Sequence, residues 1–148
     1  MYRSLLVIFC LFTISCDPVV DPEQSLDFDL SEFALEDINP NSSTYGAYIS
    51  PSDFSDRVQL YYFPFKSTWG VCKSWFSLLY EISQEYTASG YNIFIAGIAK
   101  STDNSSIDDM VNNKPLPYLK DSIAQGDYAN NVWNNWGVSD RDLYIIDR

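Results

Sequence analysis

The stretch VQLYYFPFKSTWGVCKSWFSLLYEISQEYTASG, residues 58–90, decides the fold. Its first six residues, 58–63, are dense in strand-forming side chains and apolar enough to predict a buried strand. From residue 70 onward apolar side chains recur every three or four positions, which predicts a helix over 70–89 that Gly90 ends. On this periodicity we expect Trp75, Phe76, Leu79 and Tyr86 to lie in the core.

The sequence on either side of this stretch predicts further strands and helices. Strands are expected at 33–37, 91–99 and 143–146, and helices at 106–112 and from Asp127 to Trp136, whereas 116–119 is expected to be irregular and held by Pro117. The alternation of strands and helices predicts an α/β fold, a mixed sheet covered by helices, with a right-handed crossover. Because the chain stops directly after 143–146, we expect an open sheet edge and an uncovered face, either in a truncated fragment, which we favour, or in a sheet completed by a partner.

Composition excludes several classes of function. The chain has 148 residues, enough for one domain, and a net charge of −11, which makes nucleic acids and anionic lipid head groups unlikely partners. It contains no histidine, so the commonest general base and metal ligand are missing. We expect neither a cofactor nor a metal.

The first residues predict export. Residues 1–15 combine a basic start, an apolar run too short to span a bilayer and small residues before a cleavage site, which is typical of a signal peptide. Cys16 follows directly and resembles the acylated cysteine of a bacterial lipoprotein, although plain secretion fits the same segment. Residues 16–31 are acidic and proline-punctuated, which predicts a flexible tether before a domain at 32–148. The protein is therefore expected in the cell envelope or outside it, touching membrane only through a lipid anchor.

Three segments in this order resemble the thioredoxin superfamily, in particular its redoxin branch and the N-terminal domain of selenoprotein P. They are 33–37 with 50–54, then 58–63 leading into STWGVCK at 67–73, and finally WGV at 136–138 with DLYIID at 142–147. The resemblance implies a thioredoxin-like fold and a redox motif at the start of the helix. In such a motif the exposed first sulfur or selenium attacks a disulfide, and a cysteine three residues later resolves the mixed disulfide. Here the motif is Trp69-Gly70-Val71-Cys72, with an indole in the attacking position.

Two hypotheses of different class follow. In the first, the protein is a redox-inactive module that binds or scaffolds an envelope or extracellular protein through the pocket around Trp69 and Cys72. Under this hypothesis Cys72 is a small buried core residue. The redoxin branch also carries a cis-proline before its late strand, whereas residues 139–142 here contain no proline.

In the second hypothesis the protein is a thiol enzyme. Cys72 would act as a one-cysteine peroxidase on a peroxide-type small molecule, with Lys66 or Lys73 lowering the thiol pKa and Arg141 standing in for the activating arginine. Pro64 and Thr68 match the peroxiredoxin pattern, but three residues rather than two separate Thr68 from Cys72. A codon for selenocysteine or cysteine misread at position 69 would also restore an enzyme.

Overall fold

A computed structural model of the chain describes residues 33–121 and 132–147. The predicted signal peptide, the tether, Cys16 and the helix start at Asp127 lie outside these residues. The strands are β1 (Leu35–Asp37), β2 (Tyr48–Ile49), β3 (Val58–Tyr62), β4 (Ile93–Ala99), β5 (Tyr118–Lys120) and β6 (Leu143–Ile146). The helices are α1 (Gly70–Ala88), α2 (Asp108–Val111) and α3 (Val132–Asn135), with a 3₁₀ turn at Pro51–Phe54. None of the helices in the described ranges has the length and apolar character needed to cross a membrane.

The strands form one six-stranded mixed sheet in the order β2-β1-β5-β4-β3-β6. Strands β3, β4 and β5 run parallel, whereas β1 and β6 pair antiparallel with β5 and β3, and β2 pairs antiparallel with β1. Helix α1 connects the parallel strands β3 and β4, as a β-α-β unit requires. The predicted mixed α/β sheet and the helix at 70–89 are confirmed.

Each face of the sheet carries its own hydrophobic cluster. The face away from α1 is aromatic: Phe33, Tyr61, Phe63, Phe94, Trp133 and Trp136 are buried there. The face under α1 packs Tyr62, Cys72, Phe76, Leu79, Met110 and Tyr118. The residues that position the motif therefore belong to the α1 side of the sheet.

The expected burial of α1 was wrong for two residues. Trp75 is 52% exposed and Tyr86 46% exposed, whereas Phe76 and Leu79 are buried. The buried line of the helix runs through Cys72, Phe76 and Leu79. Trp75 lies on a neighbouring line of the same helix, on the side of β6, where it lines a groove with Leu143. No described strand lies beyond β6 to cover the Trp75 side chain.

The segment predicted to be irregular contains a strand. β5 begins at Tyr118, directly after Pro117, and pairs with both β4 and β1. Pro117 has no N–H to donate, but the sheet needs only its carbonyl here, which accepts the Gly97 N–H at 3.0 Å. The Tyr118 N–H is donated to the buried carboxylate of Asp37 at 3.0 Å, which also accepts the Asn39 N–H. Gly97 permits this packing, since a Cβ there would lie 2.5 Å from the Tyr118 ring.

The edge at β6 is the one that the sequence predicts to be open. β6 pairs with β3 on one side, and no described strand pairs with its other side. Leu143 and Ile145 are 43% and 64% exposed there. The proposed truncation itself stays a prediction.

Candidate functional site

Trp69 occupies the N-cap of α1. Its backbone is extended, with φ −75° and ψ 131°, and its side chain gives no capping hydrogen bond to the first turn. The indole is 48% exposed and meets the ring of Phe65 edge-on, with 4.7 Å between ring centroids. The structure thus places an aromatic side chain at the solvent-facing start of the helix.

Cys72 lies in the first turn of the same helix, three residues after Trp69, and its side chain is completely buried. Among the described residues Cys72 forms no disulfide, so its thiol is free. Around it are the apolar side chains of the α1-side cluster, including Phe76 and Met110. A thiol in this position is inaccessible to a bulky disulfide substrate without local opening.

The Tyr62 hydroxyl is a buried polar group near Cys72 that the sequence analysis did not identify. Tyr62 is 2% exposed, and its hydroxyl makes no standard hydrogen bond to any described residue. Burial raises the pKa of Tyr62, and the neighbouring Cys72 sulfur raises it further. The positive charge of Arg141 acts in the opposite direction on the same pKa. Tyr62 therefore packs in the same cluster as Cys72 and lines a groove with Arg141.

The basic residues predicted to activate the thiol have other close partners. The Lys73 ammonium lies 3.0 Å from Asp109 of α2, and the Lys66 ammonium lies over the Phe65 ring at 5.8 Å. Arg141 has φ 74°, in the left-handed region, and its N–H is donated to the Phe63 carbonyl at 2.8 Å. No cis peptide bond occurs in the described residues. An activating role for any of these side chains stays a prediction.

A buried polar network holds the loop before Trp69 in place. Asp103 accepts hydrogen bonds from the Ser67 N–H and hydroxyl at 2.8 and 2.9 Å, and the Ser67 hydroxyl also bonds the Tyr118 hydroxyl at 2.9 Å. Burial raises the pKa of Asp103, but hydrogen bonds from Ser105 and Ser67 outweigh it and hold this pKa below its usual value. Sequence reasoning missed this network because its members are 36 and 51 residues apart in the chain.

A depression of about 340 Å³ opens beside Trp69. Phe65, Lys66, Thr68, Lys100 and Asp103 line it, so an apolar ring, two ammonium groups and a carboxylate border one cavity. The Lys100 ammonium lies 5.1 Å from the Phe65 ring centre and 2.5 Å from Asp140. Phe65 lines the cavity and contacts the exposed indole, and the charged lining can receive a polar or charged group.

The fold thus presents an exposed tryptophan at the N-cap of α1 and a fully buried cysteine three residues later. No protein-family model matches the sequence, and a search of curated proteins found no match.

Solved structures are similar in fold. BsSco, of the Sco family of cytochrome c oxidase assembly proteins, is 13% identical with a TM-score of 0.57, and the match covers 82% of this chain and 78% of BsSco. A secreted Mycobacterium tuberculosis disulfide oxidoreductase homologous to E. coli DsbE is 14% identical with a TM-score of 0.51, over 79% and 84% of the two chains. Thioredoxin from Wuchereria bancrofti is 16% identical with a TM-score of 0.52, over 79% and 76%. The predicted thioredoxin-like fold is confirmed.

Proposed function

We propose that this protein is an exported thioredoxin-fold binding module of thiol-oxidoreductase ancestry that does not exchange disulfides. One observation carries the proposal: the helix position that must present a nucleophile to substrate holds a half-exposed indole, and the remaining sulfur is fully buried. Disulfide exchange proceeds by attack of an accessible thiolate, which this arrangement does not provide. Export is supported by the signal-like pattern of residues 1–15.

The binding surface in this proposal is the exposed indole of Trp69 with the adjoining cavity at Phe65 and Lys100. A rigid, half-exposed tryptophan beside a pocket is the kind of residue that anchors protein interfaces. The loop that presents it is fixed by the Ser67 and Asp103 hydrogen bonds, so its geometry is set before a partner arrives. The partner is therefore an envelope or extracellular protein rather than a small disulfide substrate.

Thiol accessibility tests the redox half of the proposal. Cys72 should react with a disulfide reagent at least about 10³-fold more slowly in the native protein than in urea, because opening of the α1 core must precede reaction. Mass spectrometry of the peptide that contains Cys72 separates this label from label on Cys10 and Cys16. A native rate within tenfold of the rate in urea would contradict the proposal.

Peroxide consumption separates this proposal from the peroxidase hypothesis. The protein and its Cys72→Ser variant should consume hydrogen peroxide at equal background rates, and neither should reduce insulin disulfides. A peroxide rate that disappears in Cys72→Ser would establish the thiol enzyme instead. Hydrogen peroxide is small enough to reach a site closed to larger reagents, so this assay is informative even when labelling is slow.

Photocrosslinking tests the binding half. A photoreactive amino acid placed at position 69 should yield a discrete adduct in the producing cells. The same amino acid at Tyr48, which is 68% exposed on β2 at the far edge of the sheet, is the matched control. Adducts of equal yield and size at both positions, or none at position 69, would count against a binding role for the indole.

A further inference from the structure

We propose that the cavity beside Trp69 binds a carboxylate of the partner, from an acidic side chain or a chain terminus, while the indole contacts an apolar residue next to it. This inference rests on the proposed binding function and adds the chemistry of the partner. All residues that line the cavity belong to two loops, 63–69 before α1 and 100–107 after β4, and none belongs to α1 or β6. The shape of the cavity is therefore set by these two loops.

The acidic group of the lining is already occupied. One oxygen of Asp103 accepts hydrogen bonds from the Ser67 N–H at 2.8 Å and the Ser67 hydroxyl at 2.9 Å. The other oxygen accepts the Ser105 N–H at 3.1 Å and the Ser105 hydroxyl. Since a carboxylate has about four acceptor sites, these four donors saturate it. A cation would have to break these bonds in order to bind Asp103.

The remaining polar side chains of the lining all carry hydrogen-bond donors. Thr68, Thr102 and Asn104 line the cavity, and their side chains form no hydrogen bond with another described residue. Lys66 adds an exposed ammonium that forms no ion pair with any described carboxylate. Donors select a ligand that is rich in acceptors, and ammonium groups favour an anion among such ligands.

Lys100 supplies an ammonium in a fixed position. It lies 5.1 Å from the Phe65 ring centre and 4.5 Å from the Trp133 ring centre. It also pairs with Asp140, with 2.5 Å between the ammonium and the carboxylate. An ammonium has three N–H donors, of which this ion pair uses one. Because two rings and a carboxylate already position the group, little further order is lost when a ligand accepts another of its donors.

The charges at the cavity suit a carboxylate better than a phosphate. Lys66 and Lys100 share the lining with the acidic Asp103, and Asp140 already neutralises part of the Lys100 charge. No arginine is among the described residues that line the cavity, although arginine is the side chain that binds phosphate oxygens in pairs. A phosphate group on a protein carries about 1.5 to 2 negative charges, which this lining would leave partly uncompensated. A carboxylate carries a single charge.

The size and the surroundings of the cavity indicate how the partner reaches it. A volume of about 340 Å³ is at the small end of ligand pockets, which span roughly 300–1,000 Å³, so a single side chain or chain end fits. Phe65 borders the cavity and contacts Trp69, so an apolar residue beside the carboxylate meets an aromatic surface. The net charge of −11 repels acidic proteins at long range, and we therefore expect a partner that is neutral or basic overall and presents this carboxylate locally.

NMR titration of the isotope-labelled protein with short peptides tests the carboxylate site. The probe is the tripeptide leucine-glutamate-leucine with both ends blocked, and its control is leucine-glutamine-leucine, which has the same shape without the charge. At about 0.15 M salt the glutamate peptide should shift the Trp69 indole and the amides of 100–105 with a Kd of about 1 mM. The glutamine peptide should bind at least about tenfold more weakly. Equal affinity of the two peptides, or no binding of either, would overturn the proposal.

A third peptide identifies the source of the carboxylate. It is leucine-leucine with a blocked amino end and a free carboxyl terminus, so its charge lies on the main chain. Tighter binding of this peptide than of the glutamate peptide would assign the site to a chain terminus. Tighter binding of the glutamate peptide would assign it to an acidic side chain.

Substitutions locate the site within the protein. Lys66→Gln and Lys100→Gln should each weaken the glutamate peptide at least about fivefold, whereas Lys114→Gln, which removes the same charge outside the lining, should change the Kd less than about twofold. Asp140→Asn removes the carboxylate that competes for Lys100 and should tighten binding about threefold, which a purely structural role of Lys100 would not produce. Amide spectra establish that each variant folds. A Kd that both Lys66→Gln and Lys100→Gln leave unchanged would refute the site.

Crosslinking in cells separates this inference from the proposed function. With the photoreactive amino acid at position 69, Lys100→Gln should lower the yield of the adduct at least about threefold. An adduct of unchanged yield, together with peptides that bind equally, would refute the carboxylate site and leave the binding function standing. A glutamate peptide that binds while no adduct forms at position 69 would instead refute the binding function, and with it a partner at this site.

Discussion

Replacing Trp69 by cysteine would give the first turn of α1 two thiols, at the N-cap and three residues later. Side chains three residues apart on a helix have Cβ atoms about 5–6 Å apart, and disulfides need about 3.5–4.5 Å, so a modest adjustment of the extended N-cap closes the bond. Position 69 is half exposed, which allows an oxidant to reach the new thiol first. We expect Trp69→Cys to form a disulfide with Cys72.

The change in the free energy of unfolding can be worked out for both redox states. An aromatic side chain buries about 150–250 Å², and since the indole of Trp69 is about half exposed, its loss with the Phe65 contact costs about 2 kcal/mol. Closing a four-residue loop restricts the unfolded chain by about 1.9 kcal/mol. The reduced variant should therefore be about 2 kcal/mol less stable than the parent protein, and the oxidised variant about equal to it.

Urea unfolding with and without dithiothreitol measures this difference, and alkylation followed by mass spectrometry identifies the disulfide. Trp69→Ser is the control, because it removes the same indole without adding a thiol and should show no dependence on dithiothreitol. The oxidised Trp69→Cys variant should also accept electrons from a dithiol, which the parent protein should not. If the variant stays equally stable in both states with two free thiols, the assignment of residues 69–72 as a degenerate redox motif is refuted.

Three further perturbations probe the surroundings of the motif. Tyr62→Phe removes a buried hydroxyl without a standard partner and should leave stability unchanged or raise it by about 1 kcal/mol, whereas Tyr118→Phe breaks a buried hydrogen bond and should lower it by about 1–2 kcal/mol in the same urea titration. Gly97→Ala places a Cβ 2.5 Å from the Tyr118 ring and should destabilise by about 1–3 kcal/mol; Gly70→Ala, with open space around it, should not. The folded-state pKa of Asp103 is depressed, so its contribution is present above about pH 4 and lost as the pH falls through the folded pKa. Asp103→Asn should therefore show a smaller loss of stability on acidification than the parent, and an identical acid profile would contradict this assignment.

Four of the six described strands, β1, β3, β4 and β6, and the helix at the motif could be predicted because they depend on local patterns. Residues 58–63 and 143–146 are strongly apolar, and the helix periodicity after residue 70 extends over five turns. These patterns also placed Cys72 in the first helical turn, which the structure confirms.

The face of α1 could not be predicted from the same periodicity. A three-or-four spacing fits two adjacent lines of the helix equally well, and only the width of the sheet decides which one is covered. Phe76 lies over β4 and β5 and is buried, while Trp75 extends past the last described strand. Trp75 therefore belongs to a helix line that faces beyond the last described strand.

The strand β5 and the polar network of the site depend on distant partners. Tyr118 follows a proline in a segment of three strand residues, too short to give a periodic signal, and its N–H is satisfied by Asp37, 81 residues earlier. Ser67 and Asp103 gave no signal of pairing because either residue is ordinary in a solvated loop. Contacts between residues this far apart in the sequence form only when the sheet assembles, so no local sequence pattern predicts them.

The carboxylate of Asp37 imposes an order on the assembly of the molecule. Among the described strands, the hairpin of β1 and β2 pairs with the rest of the sheet only through β5. The Asp37 carboxylate in this hairpin therefore has no N–H from β5 to accept until Tyr118 has been synthesised. At a ribosomal rate of about 5–20 residues per second, Asp37 waits about 4–16 s for Tyr118, which is 81 residues later in the chain. During this interval the Asp37 carboxylate lacks the N–H that ties the hairpin to β5 in the folded sheet.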